Sequence, residues 1–312
     1  MKIVLDIMGG DFAPDTTIEG ALLADEALPP HVKLILVGNK QVIESTIKAK
    51  KGAISHFTIV HAREQIGMDE HPTKALLKKP NSSIALGFKL LKHKLANAIV
   101  GAGNTGAMMV GGMFALKTIP GIIRPTIISI IPKESGKLGV IADVGANADC
   151  KADVLAQFGN IGSVYAKHVL HIKNPKVGLL NLGEEEQKGT LLTQAAYQLL
   201  KMNNKINFIG NVEGRDLFNQ KADVIVSDGF NGNVVLKLVE SFYDILKKRN
   251  LMDDFITRFN YDKIGGCPIL GLNGTVVIGH GLASGEAIKN MVLLAKEMVQ
   301  SNVVGKMQKE FN

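Results

Sequence analysis

The stretch Ala98-Ile99-Val100-Gly101-Ala102-Gly103-Asn104-Thr105-Gly106-Ala107-Met108-Met109-Val110-Gly111-Gly112-Met113-Phe114-Ala115-Leu116 decides the fold. Ala98–Val100 is short, apolar and β-branched, which reads as a buried strand. Gly101 to Gly106 holds three glycines and one asparagine, which reads as a tight loop. From Thr105 to Leu116 a helix follows, with Asn104 placed to cap it. A strand that runs through a glycine loop into a helix is half of a βαβ unit.

The same grammar recurs outward from this stretch. Lys2–Asp6 leads into Met8-Gly9-Gly10-Asp11, and Leu138–Asp143 leads into Val144-Gly145-Ala146-Asn147. Asp223–Ser227 leads into Asp228-Gly229-Phe230-Asn231-Gly232-Asn233, and Thr275–Ile278 into Gly279-His280-Gly281. Further strands at Lys33–Val37, Phe57–Val60, Thr126–Ile131, Lys176–Leu180 and Lys205–Ile209 alternate with helices such as Thr16–Ala27, Ala152–Val169 and Ser284–Ser301. Strand runs that are apolar on both faces call for helices on both sides, hence a mostly parallel sheet in an α/β fold. No fixed-period repeat, low-complexity run or Pro/Gly/Ser-rich linker breaks the pattern, so one domain over 1–312 is expected. Ligands of such sheets bind outside the carboxyl ends of the strands. Any one of these loops is an ordinary turn by its chemistry. Five of them suggest a polar cleft rich in backbone N–H donors.

Composition narrows the function classes. Of 312 residues, 46% are hydrophobic and 21% charged, which excludes a disordered chain. The 33 glycines show no triplet period, so collagen is excluded. Two cysteines, Cys150 and Cys267, make no disulfide framework and point to a reducing cytoplasm. Asp6 arrives too early for a secretory signal. The uncharged stretch from Ala96 to Leu116 is interrupted by glycines, Asn97 and Asn104, unlike a membrane span of about 20 apolar residues. Lys and Arg outnumber Asp and Glu by 36 to 29, a net charge of +7 that favours acidic partners.

Several tempting motifs fail on inspection. Gly101-x-Gly103-x-x-Gly106 has the form of a dinucleotide fingerprint, which needs an acidic residue about 20 positions on. None occurs between Ala107 and Lys133, and only Arg124, as a 2′-phosphate partner, keeps an NADP-dependent dehydrogenase as an alternative. There is no P-loop. Neither cysteine lies in a motif that marks a reactive thiol. His168 and His171 are the only close histidine pair and lack further metal ligands, so no metal is expected. His280, between glycines at a strand end, is either a turn residue or a site residue. Basic clusters at Lys74, Lys78 and Lys79, at Lys89, Lys92 and Lys94, and at Lys247–Arg249 lack interleaved aromatics, which disfavours nucleic acid. Leu251, Met252, Phe255, Ile256 and Phe259 recur at helical spacing, as expected of a helix that packs on the core, across a dimer or on a membrane surface.

Taken in order, these motifs resemble the bacterial phosphate acyltransferase family (PlsX) over essentially the whole chain. The resemblance rests on Asp6-Ile7-Met8-Gly9-Gly10-Asp11 with Pro14, Gly103-Asn104-Thr105-Gly106-Ala107, Gly121 with Arg124-Pro125, and Asp143-Val144-Gly145-Ala146-Asn147. It continues through Gly178 to Glu185, Gly210-Asn211-Val212-Glu213-Gly214, Asp228 to Asn233 with Lys237, Gly265-Gly266 before Leu270-Gly271, and His280-Gly281. Ser241 and Leu282-Ala283 depart from the family pattern, and the amphipathic segment after Arg249 is short.

The resemblance implies a three-layer αβα fold similar to the isocitrate/isopropylmalate dehydrogenases. It implies transfer of a fatty acyl group from acyl carrier protein to orthophosphate, giving acyl phosphate for phospholipid synthesis, with no cofactor. A non-catalytic acyl-carrier- or lipid-binding module is the alternative outside enzymes. Asn104, Thr105, Asn147, Asn231 and His280 are the expected catalytic residues. Asp6, Gly9, Gly10, Asp11, Gly103, Gly106, Arg124, Asp143, Asp228, Asn233 and Lys237 are the expected phosphate- and substrate-binding residues. The expected partners are acyl carrier protein, orthophosphate, a second copy of the chain, and a peripheral contact with a membrane or a membrane-bound acyltransferase. The segment 233–264 is the expected dimer- or membrane-facing surface of a cytoplasmic protein, and no nucleic acid is expected.

Overall fold

The computed structural model describes residues 1–311. Residues 1–117 form β1 (Lys2–Asp6), α1 (Asp15–Ala27), β2 (Lys33–Gly38), α2 (Lys40–Ala49), β3 (Thr58–His61), α3 (Pro72–Lys78), α4 (Ser83–Lys92), β4 (Ala98–Gly101) and α5 (Thr105–Leu116). Next come β5 (Thr126–Pro132), β6 (Leu138–Ala142), α6 (Ala152–His168), β7 (Lys176–Leu180), α7 (Leu191–Met202), β8 (Asn207–Val212), β9 (Val224–Val226), α8 (Gly229–Lys248) and α9 (Asp254–Thr257). The chain ends with α10 (Tyr261–Ile264), β10 (Cys267–Leu270), β11 (Thr275–Ile278), α11 (Gly285–Gln300) and α12 (Val303–Phe311).

These elements fall into two compact units, and each is built from two stretches of chain. The first unit combines Met1–Lys117 with Tyr261–Gln300. Its strands run in the order β3-β2-β1-β4-β11-β10. Every neighbouring pair is parallel except β10 with β11. Ile3, Val4 and Leu5 are all fully buried, although successive side chains point to opposite faces. Both faces of β1 are therefore covered, which is why the strand reads as an unbroken apolar run. The helices come close because glycine faces the sheet: a Cβ on Gly87 of α4 would sit 2.6 Å from Ile99. Because β1, β4 and β11 are parallel, the loops that follow them leave the same edge of the sheet.

The second unit combines Thr118–Asn260 with Ser301–Asn312. Its strands run β5-β6-β9-β7-β8, parallel apart from β5 with β6. α6 packs on this sheet through Gly159 and Gly162, whose missing side chains leave room for Val177 and Val224. β6 and β9 are parallel, so the loops after them share an edge.

The mostly parallel α/β architecture matches the sequence reading; three details differ. β10, α3 and α12 were not foreseen. β8 lies at Asn207–Val212 and not at Lys205–Ile209, and its register against β7 shifts between Val177 and Leu179. The periodic segment 251–259 is not a continuous helix, since only Asp254–Thr257 is helical. There Phe259 packs edge-on to Phe218 and Phe255, and Arg258 donates to the carbonyls of Lys133, Gly136 and Lys137. These tertiary contacts outweigh the helical period. Among the described residues no helix is long and apolar enough to cross a membrane.

Candidate active site

In the first unit the site is built on the loops after β1, β4 and β11. Asp6 closes β1 and is 1% exposed. Its Oδ1 accepts the Met8 amide at 3.1 Å, whereas its buried Oδ2 has no hydrogen-bond partner. Burial pushes the Asp6 carboxyl up to about 6, against the opposing pull of the Ser83 hydroxyl and the Met8 and Gly9 amides. The loop after β4 comes against the same carboxyl. A Cβ on Gly9 would lie 2.5 Å from Asp6 Oδ2 and 2.7 Å from the Gly103 nitrogen. This close approach requires glycine at position 9, and a Cβ on Gly103 would sit a tight 3.1 Å from the Gly9 Cα. Gly10, at φ +118°, turns the chain so that the Asp11 amide donates to Gly281 O at 2.8 Å.

Asn104 caps α5: its Oδ1 accepts the Ala107 amide at 2.9 Å. Its Nδ2 donates to the carbonyls of Gly67, Met68 and Glu70, at 3.1, 3.2 and 2.8 Å. Every polar atom of this 5%-exposed side chain is committed within the protein. Asn104 therefore shapes the site and does not reach out of it. What it leaves open is the start of α5. The amides of Thr105 and Gly106 have no intrahelical acceptor, and the helix dipole adds partial positive charge there. Thr105 is exposed. His280 is exposed too, with its Nδ1 accepting the Leu282 amide at 3.2 Å, so Nε2 is the ring atom left for chemistry.

In the second unit the loops after β6 and β9 form a tighter knot. Asp143 is fully buried. Its Oδ1 accepts from the Ile127, Gly145 and Ala146 amides, and its Oδ2 accepts from both nitrogens of Asn147, at 2.6 and 2.8 Å. Burial raises its pKa, and Asn147, Ala146 and Ile127 pull it back. Asn147 Nδ2 also donates to Pro125 O at 2.8 Å, which uses up its amide. Asn147 O accepts the Gly229 amide, joining the two loops. Asp228 caps α8 and holds both nitrogens of Asn231 at 2.7 Å. Asn233 donates to Val144 O, and Lys237 pairs with Glu240 at 2.7 Å. Arg124, Asn231 and Lys237 are exposed.

The expected residues thus gather as two clusters, one in each unit. The sequence reading missed Ser83, which faces Asp6, and the segment from Gln65 to Glu70. Gln65 Nε2 donates to Met8 O, and Glu70 receives the Gly67 amide and the Lys79 ammonium. No local signal marks the reach of Gln65 to Met8 or of Asn104 to this segment, because those partners are 34 to 57 positions apart in sequence.

Three alternatives lose ground. The face of Gly103 where a dinucleotide fingerprint admits pyrophosphate is filled by Gly9 and Asp6. Burial and the nearby carboxylates of Asp228, Asp143 and Asp149 push the Cys150 thiol up to about 11, so it is not a ready nucleophile. Glu184, Glu213 and Asp216 lie close enough to share a metal ion, but Lys221 and Arg215 already pair with them.

The fold is α/β, with its candidate site residues on loops at strand ends. It is similar to a phosphotransacetylase from Streptococcus pyogenes, with TM-score 0.69, 19% identity, and 96% and 94% of the two chains covered. It is also similar to a 4-hydroxythreonine-4-phosphate dehydrogenase from Klebsiella pneumoniae, with TM-score 0.61, 13% identity, and 96% and 99% covered. The family described as fatty acid synthesis protein matches residues 1–250 and 245–306. The phosphate acyltransferase of Halothermothrix orenii is 43% identical, covering 100% of this chain and 99% of its own. That of Syntrophomonas wolfei is 39% identical with the same coverage. The chain belongs to the phosphate acyltransferase family and is an enzyme of that class.

Proposed function

We propose that the enzyme transfers a fatty acyl group from the thioester of acyl carrier protein to orthophosphate, and that the acyl phosphate formed supplies phospholipid synthesis. A phosphate oxygen attacks the thioester carbonyl, a C–O bond forms, the C–S bond breaks, and the carrier leaves as its thiol, the sulfur taking up a proton as it departs. Phosphate is already an anion at neutral pH, so the step needs positioning and charge stabilisation more than a base.

The observation that carries this reading is the Asn104-capped start of α5. Its open amides at Thr105 and Gly106, with the Thr105 hydroxyl, form an anion cradle beside Gly9 and Gly10. His280 Nε2 is the proton donor for the departing sulfur. Asn104 and Asp6 are positioning residues. In the second unit, Asp143, Asn147 and Asp228 hold a loop frame from which Arg124, Asn231, Asn233 and Lys237 engage the carrier substrate. An acidic carrier suits the net charge of +7.

The deciding assay follows acyl phosphate, trapped as its hydroxamate, against phosphate concentration, with acyl carrier protein and coenzyme A thioesters side by side. Saturation in phosphate with preference for the carrier thioester is expected. Turnover of the coenzyme A thioester alone would refute the choice of donor. A homodimer with its surface on the exposed side of α8 completes the proposal, and light scattering of the purified chain tests it.

A further inference from the structure

At the amino edge of β7 and β8, away from the loops that follow β6 and β9, the second unit contains a recess of about 380 Å³. It lies among the end of α6, the turns before β7 and β8, and α12. Lys167, His168, Lys173, Lys205 and Lys306 line it, against a single carboxylate, Glu310. Lys205 is engaged with Glu310, donating to its carbonyl at 2.8 Å and lying 3.6 Å from its Oε1. No described carboxylate pairs with Lys167, Lys173 or Lys306. The remaining wall is mainly amide and hydroxyl, including Asn160, Ser163, Asn174 and Asn207.

We propose that this recess binds a small soluble phosphoryl compound carrying at least two negative charges, such as a diphosphate or a sugar phosphate. Three arguments converge. Unpaired cations held near one another repel, and a multivalent anion relieves them. The volume falls in the range of small-molecule sites, about 300–1,000 Å³, and exceeds what one orthophosphate needs. Amides suit hydroxyl groups, while the lining offers no Phe, Tyr or Trp ring on which a nucleobase could stack.

His168 supplies the reporter. The groups facing it are Lys167 on its own helix, His171 just beyond, Lys173 before β7, Lys205 before β8, and Lys306 with Glu310 on α12. Burial, then Lys306, Lys167 and His171, hold its pKa below the ordinary histidine value. An anion in the recess opposes the lysines and raises it.

The test is NMR of the His168 C2–H, assigned with a His168→Gln variant, in the full chain titrated with pyrophosphate and separately with glucose 6-phosphate at constant ionic strength. A saturable shift and a higher His168 midpoint are expected with at least one probe. Lys306→Ala and Lys167→Ala weaken the apparent affinity about fivefold or more, and Glu310→Gln tightens it, the scale of single charge contacts. Circular dichroism confirms that the variants fold. Failure of both probes to move His168 below roughly 10 mM, an affinity in the millimolar class far below that of specific ligands, overturns the proposal. So does an unchanged affinity in the Lys167/Lys306 double variant. A shift produced only by phosphatidic acid vesicles overturns the choice of a soluble ligand. The readout sits on the opposite strand edge from the carrier-engaging loops, so it stands apart from the acyl transfer assay.

Discussion

Two aspartates sit at strand ends in this chain, Asp6 closing β1 and Asp143 just after β6, and their surroundings differ. Asp143 is saturated: five donors converge on its two oxygens. Asp6 is as deeply buried, yet Oδ2 has no hydrogen-bond partner and lies against the backbones of Gly9 and Gly103. The same residue type at the same place in a βα unit thus does two jobs. Asp143 gathers a loop into one conformation. Asp6 holds two loops near each other while keeping a proton to about pH 6, which a site handling phosphate can use.

Removing the saturated carboxylate breaks the comparison most severely. Asp143→Ala strands buried donors at Ile127, Asn147 and the Gly145–Ala146 turn, and each unsatisfied group costs about 1–3 kcal/mol. We expect a loss of at least about 3 kcal/mol, which corresponds to a fall in Tm of roughly 5 °C at this size. Calorimetry measures it, and a loss below about 1 kcal/mol would show the knot is slack.

Asp6→Asn comes next and acts in the other direction. The Asp6 carboxyl has its pKa raised from 3.8 to about 6 in the folded protein. The fold therefore binds the proton more tightly than the unfolded chain does. It loses stability as pH rises from about 4 through 6, by about 3 kcal/mol in all, and the penalty is flat above that. Asn carries no charge to bury. The variant is expected to be more stable than the parent at pH 8, by up to about 3 kcal/mol, and indistinguishable near pH 4. Equal stability at both pH values would mean that Oδ2 finds solvent or a donor after all.

Much of this was legible in the sequence. β1, β4 and β6 announce themselves as apolar runs, and the glycines, Asn104 and Asp228 mark where helices begin. Most residues of the two clusters could be named before any coordinates, Ser83 and the segment from Gln65 to Glu70 excepted. What their side chains do could not. Asn104 was expected to face substrate, but its amide reaches Gly67, Met68 and Glu70, which are 34–37 positions earlier. Asn147 similarly spends its amide on Pro125 and Asp143. Residue type and spacing report which groups can donate, and only the packed fold determines who accepts. The segment 251–259 carries the same lesson, since its period is helical while Arg258 and Phe259 anchor it as a turn.

Asn104 separates the two halves of that lesson. Asn104→Ala loses the α5 cap, worth about 1 kcal/mol, together with the clasp on Gly67–Glu70. We expect about 2 kcal/mol of lost stability and, through displaced Thr105 and Gly106 amides, a drop of roughly 10–100-fold in kcat/KM for phosphate. Asn104→Asp keeps an oxygen for the Ala107 amide but turns a second oxygen towards three carbonyls. If the cap alone orients the cradle, the aspartate variant keeps its activity; if the clasp does, both variants fall together and the KM for phosphate rises in each.

The smallest effect is expected at Cys150. Its thiol is pushed up to about 11 by burial and by Asp228, Asp143 and Asp149, with Arg124 opposing, so it stays protonated at neutral pH. Cys150→Ser should leave kcat/KM for phosphate within about twofold, since no covalent acyl-enzyme is required when the nucleophile is already anionic. A loss beyond about tenfold, with burst-phase release of the carrier thiol in the parent enzyme, would instead place an acyl-cysteine on the path. The second unit's loop cluster would then be a nucleophile's seat, and its contrast with the anion cradle on α5 would have to be redrawn around Cys150.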